Sequence, residues 1–340
     1  MTAPTVSVVI PARNEGRRIH ECLGAVLRQD YPADRYEVIV ADGMSDDGTR
    51  AIVEGIAAAD RRVRLIDNPG RIVPTGMNRA IAAATGQFIV RVDGHTIVQS
   101  DYVSRAIETL VRTGAEGAGG AMTPIAEGAF PGAVALATST PFGVGNSAFH
   151  YATEERDSDS VYLGAYPKET FRRFGGYDEE LVRNQDDELN YRIRSQGGRI
   201  VLNPAIRSSY HPRSTARSLF SQYFQYGWWK VRVMTRVPSM ISWRFLVPPV
   251  FVLGLATLVS VSFVRPEALA LLALLLAAHA AAALWFIRGR TAGFPQGSAR
   301  LVPWATLIIH LAYGLGLLAA LPTLLIKARE HPVGPVQSSR

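Results

Sequence analysis

Residues 245–264, 268–287 and 301–326 contain no Asp, Glu, Lys or Arg, and each run is at least 20 residues long. About 20 helical residues cross a hydrocarbon core of roughly 30 Å, so each run predicts a transmembrane helix. His279, His310, Pro303 and Pro322 fall inside these runs and are tolerable there, because neighbouring helices can satisfy the polar groups. Helices buried in a water-soluble core are the less favoured reading. Whatever precedes residue 245 must therefore work beside a bilayer.

The charge pattern agrees. The chain of 340 residues carries a formal net charge of +7, and between Leu189 and Pro266 it has no acidic residue at all. The same stretch holds Arg192, Arg194, Arg199, Arg207, Arg213, Arg217, Lys230, Arg232, Arg236, Arg244 and Arg265. Cations massed before a first span follow the positive-inside rule and attract anionic lipid. A basic stretch also suits nucleic acid, but these cations lead straight into a membrane segment and no nucleic-acid motif accompanies them, so no such partner is expected. The opening Met-Thr-Ala-Pro-Thr-Val-Ser-Val-Val-Ile reads as a strand rather than a signal peptide, which places residues 1–240 in the cytoplasm. The single Cys22 fits a reducing compartment and reads as a small core residue.

The first 125 residues alternate strand and helix patterns. Strands are expected at Val6–Ile10, Glu37–Ala41, Val63–Ile66 and Phe88–Val92. Helices are expected over 15–29, from Asp47-Gly48-Thr49 to about Ala59, over Thr75–Thr85 and over Asp101–Arg112. This alternation predicts an α/β fold, a mostly parallel sheet flanked by helices. Ligands of such sheets bind outside the carboxyl ends of the strands, where Arg13-Asn14-Glu15, Asp42 and Asp93/His95 fall. The Gly/Ala-rich residues 114–148 predict short strands and a loop, and the acidic His150–Ser160 a mobile surface loop or a lid. Helical character returns around Asp186–Arg194. Residues 216–236, with Leu219, Phe220, Tyr223, Phe224, Trp228 and Trp229 among cations, read equally as an interfacial helix on the membrane or an amphipathic helix packed on the domain.

In a strand, side chains two apart point the same way. Asp93 and His95 are thus expected to converge on one cation, and a carboxylate with an imidazole suits a divalent metal that holds a diphosphate. Asp42 can accept a hydrogen bond from a uracil N–H or a ribose hydroxyl, with Glu15 a second candidate and Arg71 and Asn78 as nearby donors. Asp47 reads as a helix cap. One carboxylate of Asp186-Asp187-Glu188 can act as a general base, although acids in a first helical turn also have a purely structural use.

Together these segments resemble the family 2 glycosyltransferases, which use the GT-A fold. The matching runs are Val8-Val9-Ile10-Pro11-Ala12-Arg13-Asn14-Glu15, Asp42-Gly43-Met44-Ser45-Asp46-Asp47-Gly48-Thr49, Gly76-Met77-Asn78-Arg79-Ala80, Asp93-Gly94-His95, Gly175-Gly176-Tyr177-Asp178-Glu179 and Gln185-Asp186-Asp187-Glu188-Leu189. The likeness spans about residues 5–235 and leans toward membrane-anchored transferases of succinoglycan-type exopolysaccharide assembly. It implies a GT-A domain over 1–215, an amphipathic region over 216–244, a membrane domain over 245–326 and a tail over 327–340, in the plasma (inner) membrane. It further implies that Pro11, Ala12, Glu15, Asp42, Arg71, Asn78 and Asp93 bind the donor and that Asp186 is the catalytic base. Asp93 and His95 form the metal set, and His211 reads equally as a further metal or diphosphate contact or as a structural histidine. Two departures stand out: His95 replaces the usual second Asp, which shifts preference toward Mn²⁺ over Mg²⁺, and Gln185 replaces the Glu of the acid pair.

The reaction implied is inverting transfer from a UDP-sugar, glucose first, to a polyprenyl-diphosphate-linked saccharide. Two rivals are a processive polysaccharide synthase and a non-catalytic nucleotide-sugar-binding scaffold. The synthase usually carries Gln-x-x-Arg-Trp, whereas this chain has Gln222-Tyr223-Phe224-Gln225-Tyr226. Three spans put the C-terminus opposite the domain, against the preference of Lys327 and Arg329, so the last segment, with Gly314, Gly316 and Pro322, is expected either to form a re-entrant hairpin or to overrule its tail charges.

Overall fold

The computed structural model describes residues 3–237 and 242–330. Residues 238–241 of the expected amphipathic region and 331–340 of the expected tail lie outside them. Strands β1 (Val6–Ala12), β2 (Tyr36–Asp42), β3 (Val63–Asp67) and β4 (Phe88–Arg91) run parallel in the order β3-β2-β1-β4. All of β1 is buried, because helices cover both faces of the sheet. Its alternate residues feed two cores. Val6, Val8 and Ile10 pack toward α1 (Ile19–Leu27), while Val9 faces Met77 and Ile81 of α3 (Val73–Ala83). Helices α2 (Thr49–Ala59) and α4 (Tyr102–Thr113) complete the wrapping.

The sheet continues as a mixed one. β5 (Ile97–Val98), β6 (Gly117–Pro124), β7 (Arg156–Asp157), β8 (Tyr162–Pro167) and β9 (Ile200–Tyr210) follow in the chain. β8 lies antiparallel to β4 and β6, while β6 and β9 pair in parallel. The expected mostly parallel sheet therefore holds for its N-terminal half. The Gly/Ala-rich stretch, expected to be short strands and loop, contains β6 and an apolar helix, α5 (Ala129–Thr138), followed by one turn, α6 (Pro141–Val144). β6 needs its small residues: a Cβ on Gly120 would collide with the backbone of Ile206 on β9. After β8 come α7 (Lys168–Phe174) and α8 (Gln185–Ser195).

The remaining helices are α9 (Ala216–Arg236), α10 (Val247–Ser262), α11 (Ala268–Phe286) and α12 (Ser298–Glu330). Three segments, Trp243–Ser262, Ala268–Phe286 and Ser298–Thr323, are long and apolar enough to cross a membrane. The first two are almost bare, with 11% of their most apolar window buried, but in the third the figure is 50%. Its extra burial comes from the catalytic side of the molecule. Ala133, Leu136 and Ala137 of α5, Leu219 of α9 and Val302, Ala305, Ile308 and Ile309 of α12 form one core. α12 is continuous through Gly314, Gly316 and Pro322, so the re-entrant hairpin is not formed.

α9 resolves an open question from the sequence. One of its faces is seated on α12, where Val231 joins Leu317 and Ala320. Close approach depends on small residues. A Cβ on Gly227 would collide with the carbonyl oxygen of Tyr313, and one on Gly316 with that of Phe224. Overpacking a tight contact costs about 1–3 kcal/mol. Gly227→Leu is expected to lower the thermal unfolding temperature of detergent-solubilised protein, whereas Gly55→Leu, on α2 with nothing within 4 Å of its Cβ position, leaves it near the parent value.

Candidate active site

Three strand ends form the donor side. The carboxyl ends of β1, β2 and β3 frame a cavity of about 490 Å³ lined by Arg13, Asp42, Ser45, Arg50, Asp67 and Arg71, among others. Asp42 is fully buried at the end of β2 and accepts hydrogen bonds from Ser45 Oγ at 2.6 Å and Ser45 N at 3.2 Å. Arg50 reaches Asp42 at 3.5 Å and Asp67 at 2.7 Å. Pro11 and Ala12 close β1 in register with Ala41 and Asp42. Asp47 has a structural part: its carboxylate accepts the Thr49 N–H at 3.1 Å and the Gly16 N–H at 2.9 Å, tying the loop after β1 to the start of α2. Asn78 lies elsewhere. It donates to Tyr177 O at 2.8 Å and Glu179 Oε1 at 2.9 Å and accepts from Tyr177 N, so it holds the loop before α8.

β4 ends at Arg91, and Asp93 begins a turn in which Thr96 N donates to Asp93 O at 2.9 Å. Strand alternation therefore does not govern Asp93 and His95, and each finds its own partner. Asp93 Oδ1 accepts from Arg91 Nε at 2.8 Å, while His95 Nδ1 meets Glu15 Oε1 at 2.8 Å. The turn is folded over the end of β1, since a Cβ on Gly94 would touch Ala12 and Glu15. The ends of β2 and β4 flank β1.

The same arginine gathers the third acid. Arg91, whose side chain is 6% exposed, hydrogen-bonds Asp186 Oδ1 through Nη1 while Nε holds Asp93. Helix α8 disperses its three acids to three cations: Asp186 to Arg91, Asp187 to Lys230 of α9 at 2.7 Å, and Glu188 to Arg192 at 2.8 Å. Only Asp186 thereby faces the cleft with Asp93. Its Oδ2 has no hydrogen-bond partner among the described residues. Withdrawal from water raises the Asp186 pKa, with Asp93 and Asp187 adding to the rise and Arg91 opposing it. For Asp93 burial again pushes upward, but Arg91 and His95 hold the carboxyl below its ordinary value. The hydrogen bond to Glu15 raises the His95 pKa, with burial opposing. Burial and nearby Asp93 push the Cys22 thiol to about 12, so it is an inert core group.

Sequence reasoning missed Arg91, although a cation inside the apolar run Phe88–Val92 was a visible signal. It also missed Lys230 and Tyr177, whose roles depend on contacts across the fold.

The donor set suits a divalent ion that shares its shell with a phosphate. Glu15 occupies His95 Nδ1 and leaves Nε2 outward, an arrangement typical of metal-binding histidines. Asp93 keeps Oδ2 without a partner among the described residues. His211 follows directly after β9, which pairs with β5 through Ile97↔Ser209 and Val98↔Ser208. No group of three or more His, Cys, Asp or Glu residues able to hold a metal ion occurs among the described residues, and ions such as Mg²⁺ commonly bind one or two protein groups plus substrate phosphates.

Comparison with known proteins agrees with this geometry. Residues 7–160 match "Glycosyl transferase family 2". The succinoglycan biosynthesis protein ExoA of Rhizobium meliloti (strain 1021) is 33% identical over 250 residues, 73% of this chain and 76% of that protein. The chain belongs to glycosyl transferase family 2. A second family relative, a Methanococcus voltae dolichyl N-acetyl-alpha-D-glucosaminyl phosphate 3-beta-D-2,3-diacetamido-2,3-dideoxy-beta-D-glucuronosyltransferase, is 29% identical over 248 residues, 71% of this chain and 77% of that protein. The mannosyltransferase PcManGT from Pyrobaculum calidifontis, solved with GDP-Man and Mn²⁺, superposes with a TM-score of 0.60 at 20% identity and covers 96% of this chain and 88% of its own. The fold is the GT-A-like one shared with that enzyme, and this chain is a glycosyltransferase.

Membership of the family gives Arg91 a testable weight. Should Asp186 serve as a general base it must be deprotonated to work, and Arg91 opposes the rise in its pKa. Arg91→Met is expected to move the acid limb of the kcat–pH profile to higher pH, and Arg91→Lys, which keeps the charge, to move it less. Superimposable profiles for all three proteins would remove Arg91 from this role.

Proposed function

We propose that the enzyme carries out inverting transfer of one sugar from a nucleotide-diphosphate donor to a saccharide carried on a polyprenyl-type lipid diphosphate at the cytoplasmic face of the plasma membrane, in exopolysaccharide assembly. The observation that carries the proposal is the meeting of Asp93 and Asp186 on Arg91, which brings a donor-side acid and a base candidate into one cleft. Asp42, with Pro11, Ala12, Arg71 and Glu15 around the same loops, receives the nucleoside. Asp93 and His95, with His211 as a further candidate, would hold a divalent ion, Mn²⁺ or Mg²⁺, which would supply positive charge to neutralise the departing diphosphate.

Arg91 grips one oxygen of Asp186 and leaves the other for the acceptor hydroxyl. Asp186 takes the hydroxyl proton, the hydroxyl oxygen bonds the anomeric carbon, and the bond from that carbon to the diphosphate oxygen breaks. Attack from the opposite face turns an α-linked donor into a β-linked product. The support for a lipid-borne acceptor is threefold. The chain has three membrane-length apolar helices, one relative is named for succinoglycan biosynthesis, and another is named for transfer to a dolichyl phosphate sugar. UDP-glucose is the first donor to test, and GDP-mannose the second because the superposed enzyme binds it.

Asp186→Asn is expected to reduce kcat by about 10²–10⁴-fold, the usual worth of general base catalysis, with donor affinity unchanged by calorimetry. Full turnover in that variant would refute the base assignment. Incubation of membranes with labelled donor and lipid extract should give a product one sugar heavier than its acceptor by mass spectrometry. A ladder of products would instead favour a processive synthase, and no product with any donor a binding scaffold.

A further inference from the structure

A second cavity, of about 270 Å³, lies away from the donor cleft between the loop after α6 and the turn Trp243–Leu246 that opens the first apolar helix. Asn146, Tyr151, Arg156, Ser158 and Arg244 contribute to its wall. We propose that this cavity binds the diphosphate of a membrane lipid, held between Arg156 and Arg244. This deepens the acceptor reading given above and rests on it for the identity of the lipid.

The charges support an anion despite the acids nearby. Asp157 and Asp159 also line the cavity. Asp157 is paired with Arg199 at 2.6 Å, Asp159 with Arg194 at 2.8 Å, and neighbouring Glu155 with Arg112. Arg156 has no carboxylate partner among the described residues, and Arg244 is bonded only to the neutral Asn146 Oδ1. Two arginines far apart in the chain thus converge on one concavity with their charge uncommitted. Planar guanidinium forks match phosphate oxygens, and two of them match a diphosphate.

Location selects a lipid over a solute. Arg244 lies over the ring of Trp243 at 5.7 Å, and Trp243 is 70% exposed. Leu246, Val247 and Val250 follow it with exposed side chains on the first membrane-length segment. A Trp and an Arg at the end of such a helix mark headgroup depth, so the cavity opens where a lipid phosphate lies. Side-chain contacts through the fold connect its lining to the reactive cleft. Ser160, just past Ser158, accepts from Asn190 of α8 at 3.1 Å. Phe149, next to the lining Ala148, stacks on Tyr162 at 6.1 Å, and the Tyr162 hydroxyl meets Thr96 Oγ1 at 3.1 Å, beside the Asp93 turn. A lipid anchored by its diphosphate in the cavity would therefore present its saccharide toward Asp186.

The test uses the full chain in nanodiscs. Binding of polyprenyl diphosphate and of inorganic diphosphate is measured for the parent, Arg156→Ala, Arg244→Ala and the double variant, and KM for lipid-linked acceptor and for donor is measured for each. The double variant is expected to bind polyprenyl diphosphate at least 10-fold more weakly and to raise acceptor KM by a similar factor, with donor KM and thermal unfolding unchanged. Double Arg→Lys variants should recover part of the loss. Unchanged lipid binding in the double variant would overturn the proposal, as would inorganic diphosphate binding as tightly as the lipid, which would make the cavity a site for a free anion. Normal, arginine-dependent lipid binding without glycosyl transfer would sustain the cavity and refute the acceptor reading.

Discussion

The reactive cleft depends on one buried guanidinium. Asp93 follows a strand of the N-terminal sheet and Asp186 begins a helix much later in the chain, and Arg91 binds both. Two carboxylates brought this close without a cation would repel and would each be pushed toward the neutral form. Removing one member of a fully buried charge cluster costs about 3–5 kcal/mol. The cost here is smaller, because Asp186 is 35% exposed and water screens it. The arrangement also explains why the two acids differ although they share a partner. Asp93 is more enclosed and receives help from His95, so it stays ionised below its usual range, whereas Asp186 is driven upward. The split matches the roles proposed for them, since a ligand works ionised and a base works best with a pKa raised toward the operating pH.

The start of α8 is braced by α9. Lys230 of α9 holds Asp187, next to Asp186, and Arg236 near the end of the same helix holds Asp178 at 2.5 Å in the loop that precedes α8. α9 in turn is seated on α12 through Gly227 and Gly316, and α5 covers another part of α12. The third apolar helix is therefore the platform on which the active site is assembled, as well as a membrane segment. This explains its heavier burial beside the nearly bare α10 and α11. The position of the base relative to the bilayer then follows from helix packing and does not depend on a flexible tether.

At the donor end the parallel half of the sheet supplies the geometry. Its strands all point their carboxyl ends to one edge, so loops after β1, β2, β3 and β4 crowd together there. Asp42, Asp67, the Asp93 turn and Glu15 come from these four loops. The mixed half contributes differently. β9 pairs antiparallel with β5, just after the Asp93 turn, which a purely parallel sheet would not do without a further crossover.

The alternation of apolar runs and Gly- or Asp-terminated turns was enough to give the first four strands, their helices and the edge that carries the site, because each of those signals is local. The charge-free runs likewise announced the apolar helices, since spanning length is a property of contiguous residues. Asp42, Asp93 and Asp186 were legible as acids at strand and helix ends. Their partners were not. Arg91 stood in plain view within an apolar run, but its significance required Asp186, which only folding brings beside it. Asn78 read as a donor-site group, and its contacts with the backbone of Tyr177, far along the chain, were invisible in the sequence. The Gly/Ala-rich stretch showed a strand but hid a helix because small residues give weak periodicity, and their value appears only when β9 and α12 press against them. The order of residues therefore determined which groups of chemistry exist and at which element ends they stand. Tertiary packing decided which charges meet, because an ion pair between distant segments is selected by the shape of the core and leaves no mark on spacing.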